Sequence, residues 1–214
     1  MLQKWEKISM YCSVKDRIKS QIVSKGRAKF WFVDDFLKDG NNDSVRKALQ
    51  SLVTDGMLLR ISNGVYYYPK VEQELGLGVL LPSKEDTAKA VAKHHHLKIA
   101  PTGIFALNAL GLTTQMQTVV AFLTNGRARR IDLGDGRYIN LLHSSVQKLF
   151  DYHSYVMILV IQAMLELGEA NVTDEICWNL AELLKTVSAK DYMHDLKIAP
   201  IWAQEILKSL YEIH

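Results

Sequence analysis

The sequence predicts an α+β protein with an N-terminal helix–strand–helix–hairpin unit, a mixed α/β unit after it and a helical segment at the C-terminal end. Three observations predict this. An amphipathic helix over residues 43–56 runs straight into a short hairpin over 57–68; a helix and an aromatic strand precede it; and past Pro69 short strands alternate with helices before the pattern becomes purely helical. The boundaries expected are 1–70, 71–145 and 146–214. A chain of 214 residues, 48% of them hydrophobic, can bury a substantial core and is long for the first unit alone.

In chain order, residues 14–24 carry Val14, Ile18, Ile22 and Val23 at helical spacing, and Lys25-Gly26 stops them. Phe30-Trp31-Phe32 suits a short edge strand, and residues 33–38 make one or two helical turns before Asp39-Gly40. In the next helix Asn42 or Asp43 can cap the first free amides, while Gly56 follows the last periodic residue as a left-handed terminator. Val45, Ala48, Leu49, Leu52 and Val53 form its apolar stripe, leaving Ser44, Arg46, Lys47, Gln50, Ser51 and Thr54 on the other side. In the hairpin, Asn63-Gly64 supplies a tight turn, and Leu59, Ile61, Val65 and Tyr67 alternate toward the core. Helix, short strand, short helix, turn, long helix, hairpin is the order of a winged helix-turn-helix.

Charge tests this reading independently. Residues 1–70 hold 13 Lys and Arg against 7 Asp and Glu, a net +6, whereas residues 71–214 hold the other 13 against 16, a net −3. Positive charge confined to one end suits a phosphate backbone and predicts salt-sensitive binding. Asp34, Asp35 and Asp39 lie inside the basic half and favour a defined docking face over a general polycation. The candidate DNA-binding residues are therefore Ser44, Arg46, Lys47 and Gln50 on the helix with Arg60 and Asn63 on the wing. Arg and Gln have the donor geometry for base edges; Lys and hydroxyls suit phosphate oxygens. Ordinary solvated residues on a surface helix would read the same way, and a wing supports the fold more strongly than the activity.

Beyond Pro69, residues 71–82 read as a connecting segment, and Gly76-Leu77-Gly78 lacks the following glycine, lysine and helix start of a phosphate loop. Ser83, with Asp86 three residues on, caps a helix to about residue 95. Residues 97–100 suit a strand and 103–110 a short helix. Strands over 118–123, 129–133 and 138–142, joined by Asn125-Gly126 and Asp135-Gly136 turns, suggest a three-stranded meander. Helices follow over 152–167, 173–187 and 201–213.

Other features narrow the function. The longest apolar run, residues 155–164, contains Gln162 and is too short to span a bilayer, and Met1 to Glu6 lack the apolar core of a secretion signal, so a cytoplasmic protein is expected. Cys12 and Cys177 have no metal-ligand spacing and suit reduced thiols. His94-His95-His96 point in different directions from a helix end, which favours structural or solvated roles over a metal. No metal or other cofactor, and no catalytic residue, is implied: no nucleophile elbow or paired-carboxylate spacing frames an active site. Arg127, Arg129 and Arg130, with Arg137, are a candidate contact for nucleic acid or an acidic partner, or equally a device that blunts an edge strand. Trp178 and Trp202 lie on apolar helical faces, as core or interface anchors.

Several motifs together carry a family resemblance. Asp34-Asp35-Phe36, the run from Val45 to Leu52, Gly56, the string Asn63-Gly64-Val65-Tyr66-Tyr67-Tyr68-Pro69, Pro101-Thr102-Gly103, Ala106-Leu107-Asn108-Ala109-Leu110-Gly111-Leu112 and Phe122-Leu123-Thr124-Asn125-Gly126 resemble bacterial AbiEi-type antitoxin and transcriptional regulator proteins. The resemblance covers the chain to about His143. It implies an N-terminal winged helix that binds double-stranded operator DNA, a second domain tied to antitoxin activity, and a nucleotidyltransferase toxin encoded beside it. The expected function is a DNA-binding transcriptional regulator, an antitoxin-like repressor of a two-gene toxin-antitoxin system. The alternative is a protein-interaction module whose winged helix does not bind DNA.

Overall fold

A computed structural model describes residues 13–74, 76–115, 119–134 and 136–212. The expectations placed on Met1 to Glu6, Cys12, Leu75, Thr118, Asp135 and Ile213 lie outside the described residues. The chain divides into two compact units, residues 1–94 with 132–136, and residues 95–131 with 137–214. The fold is α+β, with an N-terminal helix–strand–helix–hairpin region, a mixed sheet and C-terminal helices.

In the first unit, α1 (Val14–Lys25) begins at Ser13, whose hydroxyl accepts the Asp16 amide while the Asp16 carboxylate accepts from the Ser13 hydroxyl and amide. Those bonds favour the charged form and hold Asp16 below the usual carboxylate range. Strand β1 (Lys29–Phe32) leads into a 3₁₀ turn (Val33–Phe36) and then α2 (Asn42–Thr54). The cap of α2 is Asn41, whose Oδ1 accepts the Ser44 amide at 2.9 Å. It precedes the expected Asn42 or Asp43, and Asp43 instead lies in the first turn, where a negative charge complements the helix dipole. Ile18 and Ile22 of α1 interlock with Val45, Ala48, Leu49 and Leu52 of α2, and Phe36 closes the same core.

The hairpin β2 (Leu59–Ser62) and β3 (Val65–Tyr68) completes a sheet of order β1-β3-β2, antiparallel throughout. Gly64 at its tip has φ +74°, the left-handed conformation the turn requires. The expected facing of β3 is reversed: Tyr66 enters the helical core with Leu58, while Tyr67 lies on the opposite face with Phe30, ring centroids 4.9 Å apart. Val65, Tyr66 and Tyr67 are all buried, so β3 is covered on both faces and simple alternation could not tell which side met the helices. A register shift between Arg60 and Ser62 decouples β2 from that alternation.

The segment read as a connector forms a second hairpin, β4 (Lys70–Glu72) with β5 (Gly78–Leu80). Next comes α3 (Lys84–His94), where the Ser83 hydroxyl accepts the Asp86 amide as expected.

After α3 come β6 (Ile99–Pro101), α4 (Gly103–Ala109), β7 (Val120–Thr124), β8 (Arg129–Gly134) and β9 (Arg137–His143), with sheet order β6-β7-β9-β8. The expected meander is corrected here, because β7 pairs with β9 in parallel and β8 stands outside it. The reason lies at Asn125. Its side chain accepts the Lys98 amide, its own amide donates to the Lys98 carbonyl, and Leu97 packs so close to Gly126 that a Cβ there would collide with Leu97 Cδ2. The turn is therefore tied to the start of β6 and does not close a two-residue hairpin.

Four helices follow: α5 (Tyr155–Leu167), α6 (Asp174–Leu184), α7 (Ala189–Leu196) and α8 (Ile201–Glu212). Helix α7 was not expected. It is short, is capped by Ser188 and buries Tyr192, Asp195 and Leu196. Residues 157–164 of α5 are all buried, so α5 is the axis of this core. Gly103 lets α4 approach α5 closely, since a Cβ there would meet the Glu166 Cβ at 2.6 Å.

Candidate nucleic-acid interface

The amphipathic spacing of α2 turns Val45, Ala48, Leu49 and Leu52 inward, which obliges Arg46, Lys47 and Gln50 to face solvent, and all three are exposed. Strand β2 brings Arg60 to the same place. Arg60 stands opposite Tyr66 in the β2–β3 register, and cross-strand partners share a face, so its side chain leaves the sheet on the side that meets the helices. The result is one open concavity of about 580 Å³ lined by Arg46, Lys47, Gln50, Ser51, Thr54, Arg60 and Tyr66.

Four of the six residues expected to contact DNA thus line one surface: Arg46, Lys47, Gln50 and Arg60. Ser44 does not. Its amide is held by the Asn41 side chain and its hydroxyl donates to the Asn41 carbonyl, so it serves the helix start. Asn63 is exposed at the wing tip and lies outside the lining; its Oδ1 accepts from Arg60 Nη2 at 3.3 Å. Arg46 Nε donates to Asn42 Oδ1 at 2.5 Å. Each guanidinium is therefore steered by an asparagine one helical turn or one hairpin turn away, and keeps further donors for a ligand.

Ser51, Thr54 and Tyr66 complete the concavity and were not singled out as site residues from the sequence. Ser51 and Thr54 follow Lys47 and Gln50 by four residues each, which places them one turn along the same face. Thr54 spends its donor on the Gln50 carbonyl, 3.1 Å away, leaving its oxygen as an acceptor. Tyr66 could not be found this way, because its facing depends on the register of β3.

The other singled-out residues sit elsewhere. Arg127, Arg129 and Arg130 are exposed, the last with its guanidinium 3.6 Å from the Tyr138 ring centroid, a cation–π contact that braces β8 against β9. His94 stacks on Phe32 with centroids 3.8 Å apart and has Nε2 3.4 Å from Asp34, whereas His95 and His96 are exposed. Trp202 is partly buried against the helical core, but Trp178 is 66% exposed. Cys177 is a partly buried thiol whose pKa is raised by burial and by Asp174. Among the described residues no helix is long and apolar enough to cross a membrane.

A family model matches residues 17–192, which takes in the α2 face, the hairpin, the mixed sheet and most of the helical core. The chain belongs to DUF6088, a family of unknown function. No curated protein matches this DUF6088 chain.

Proposed function

We propose that this DUF6088 protein is a cytoplasmic DNA-binding transcriptional regulator, and within that class an antitoxin-like repressor of the AbiEi type, paired with a nucleotidyltransferase toxin. The observation that carries the reading is the convergence of Arg46, Lys47, Gln50 and Arg60 on one open concavity beside a wing. A helix with cations and amides on its solvent side has the diameter and donors to enter a major groove. In this reading Arg46 and Gln50 meet base edges, Lys47 and Arg60 meet phosphates, and Ser44 acts only by holding the helix start.

The test is a mobility shift with the full chain on its own upstream DNA across a salt series. A shift that weakens steadily with salt is expected, and no shift at low salt overturns the reading. The antitoxin part has its own test: co-expression must relieve the growth arrest caused by an adjacent nucleotidyltransferase, and failure to do so leaves a plain repressor. A second reading, a protein-interaction module, is favoured by Trp178 and Ile201, which are 66% and 77% exposed on the C-terminal helices. The same mobility shift separates the two.

A further inference from the structure

The second unit contains a polar cluster that the DNA-binding reading does not use. His153 lies just before α5, whose N-cap is Ser154, and His194 and Asp195 lie on α7. The two imidazoles stack with centroids 3.6 Å apart and planes within 6°. Asp195 is fully buried; its Oδ1 accepts the His153 amide at 2.9 Å and its Oδ2 the Ser154 amide at 2.8 Å. Nδ1 of His194 is 2.9 Å from Asp195 Oδ1, and Nδ1 of His153 is 3.6 Å from Asp191 Oδ1. One ring nitrogen from each histidine and one Asp195 oxygen all lie within 4.8 Å of one another.

We propose that His153, His194 and Asp195 form a site for a divalent transition-metal ion of the zinc class, with solvent in the fourth position. The donor set fits: two borderline imidazole nitrogens with one carboxylate oxygen suit zinc, whereas calcium and magnesium prefer oxygen alone. The site also has one rigid and two adjustable members. Asp195 is fixed by two backbone amides, while the His153 and His194 side chains are 49% and 40% exposed and are held by their mutual stack and by Asp191 and Asp195, contacts that a bound ion would replace. A tetrahedral zinc site has donor–donor edges of about 3.3 Å, so the donors must draw together from their present spacing. Imidazole lone pairs lie in the ring plane, and parallel rings cannot aim them at one point. Binding must therefore tilt the two rings out of their stack, and it would fasten the start of α5 to α7.

The test uses the full-length, untagged chain and zinc chloride alone. At pH 7.5, titration calorimetry is expected to show one zinc per chain, weakened at least tenfold by His153→Asn and by His194→Asn. A variant with His94, His95 and His96 all changed to Asn is expected to bind as the parent does. Asp195 is left intact because its loss would strand two amides. A second measurement covers variants that fold poorly: in the unmodified protein, zinc must shift the ring resonances of His153 and His194, the change expected when a stacked pair separates. Absence of one-to-one binding, unchanged affinity in the His153/His194 double variant, loss of binding in the His94–His96 variant, or unmoved His153 and His194 ring signals each overturns the proposal.

Discussion

Helices α2 and α5 are both 13 residues long, yet α2 buries only Val45, Ala48, Leu49 and Leu52 while residues 157–164 of α5 are buried without a break. The difference lies in what each can offer. Helix α2 buries one stripe and leaves a cationic side to solvent, so its outward residues can change without disturbing its packing. Helix α5 has no such side along those eight residues and serves as scaffold for the elements around it. An interface and a structural axis can thus be built from the same length of helix, separated only by how far the apolar stripe extends around it.

The strongest way to break this comparison is through stability. Ile161→Ala in α5 is expected to cost about 2–5 kcal/mol in urea unfolding, because a fully buried side chain leaves a cavity, whereas Gln50→Ala in α2 is expected to change stability by under about 0.5 kcal/mol. Comparable losses at both positions would mean that the outer side of α2 is structural. Next in size is recognition. Arg46→Ala with Gln50→Ala is expected to shift base preference by about 1–3 kcal/mol at the contacted positions, read by competition among duplexes.

A smaller effect comes from pH. Tyr152, just before α5, is pushed up to about 12 by burial and then by the negative charge of Asp195. The folded state therefore holds the neutral phenol more tightly than the unfolded chain does. Its contribution is fully present below pH 10 and is lost as the pH rises toward 12, by less than about 2 kcal/mol once partial exposure is allowed for. Tyr152→Phe is expected to flatten that part of an unfolding-versus-pH profile. Smallest is the salt response: Lys47→Ala or Arg60→Ala is expected to weaken all duplexes alike and to lower the slope of log affinity against log salt by about one. A loss confined to one sequence would reverse the roles given to these residues.

Periodicity made α2 and its outward residues legible, since each buried position of a 3.6-residue repeat fixes where its neighbours point. It failed where facing depends on partners distant in sequence. The run Val65 to Tyr68 is apolar on both faces, so Tyr66 and Tyr67 could not be assigned to sides until β1 and β2 were in register. The parallel pairing of β7 with β9 rests on contacts between Asn125 and Lys98, and a local Asn-Gly signal is silent about them. Local sequence can even be neutral: Leu-Lys-Ile-Ala-Pro at 97–101 leads into and forms strand β6, and at 196–200 it ends helix α7 and the turn after it. Helix α7 is only eight residues long, and the His153–His194–Asp195 cluster it completes joins positions some forty residues apart.

The two amides just before α5, those of His153 and the N-cap Ser154, are satisfied by a carboxylate encoded far downstream, at Asp195. While the chain is being made, α5 emerges from the ribosome well before α7, and these two amides have to rely on water until residue 195 is free to fold back. Translation order thus delays the sealing of this core until residue 195 has been made, and a nascent chain halted short of that residue would carry a hydrophobic rod that is still open at one end.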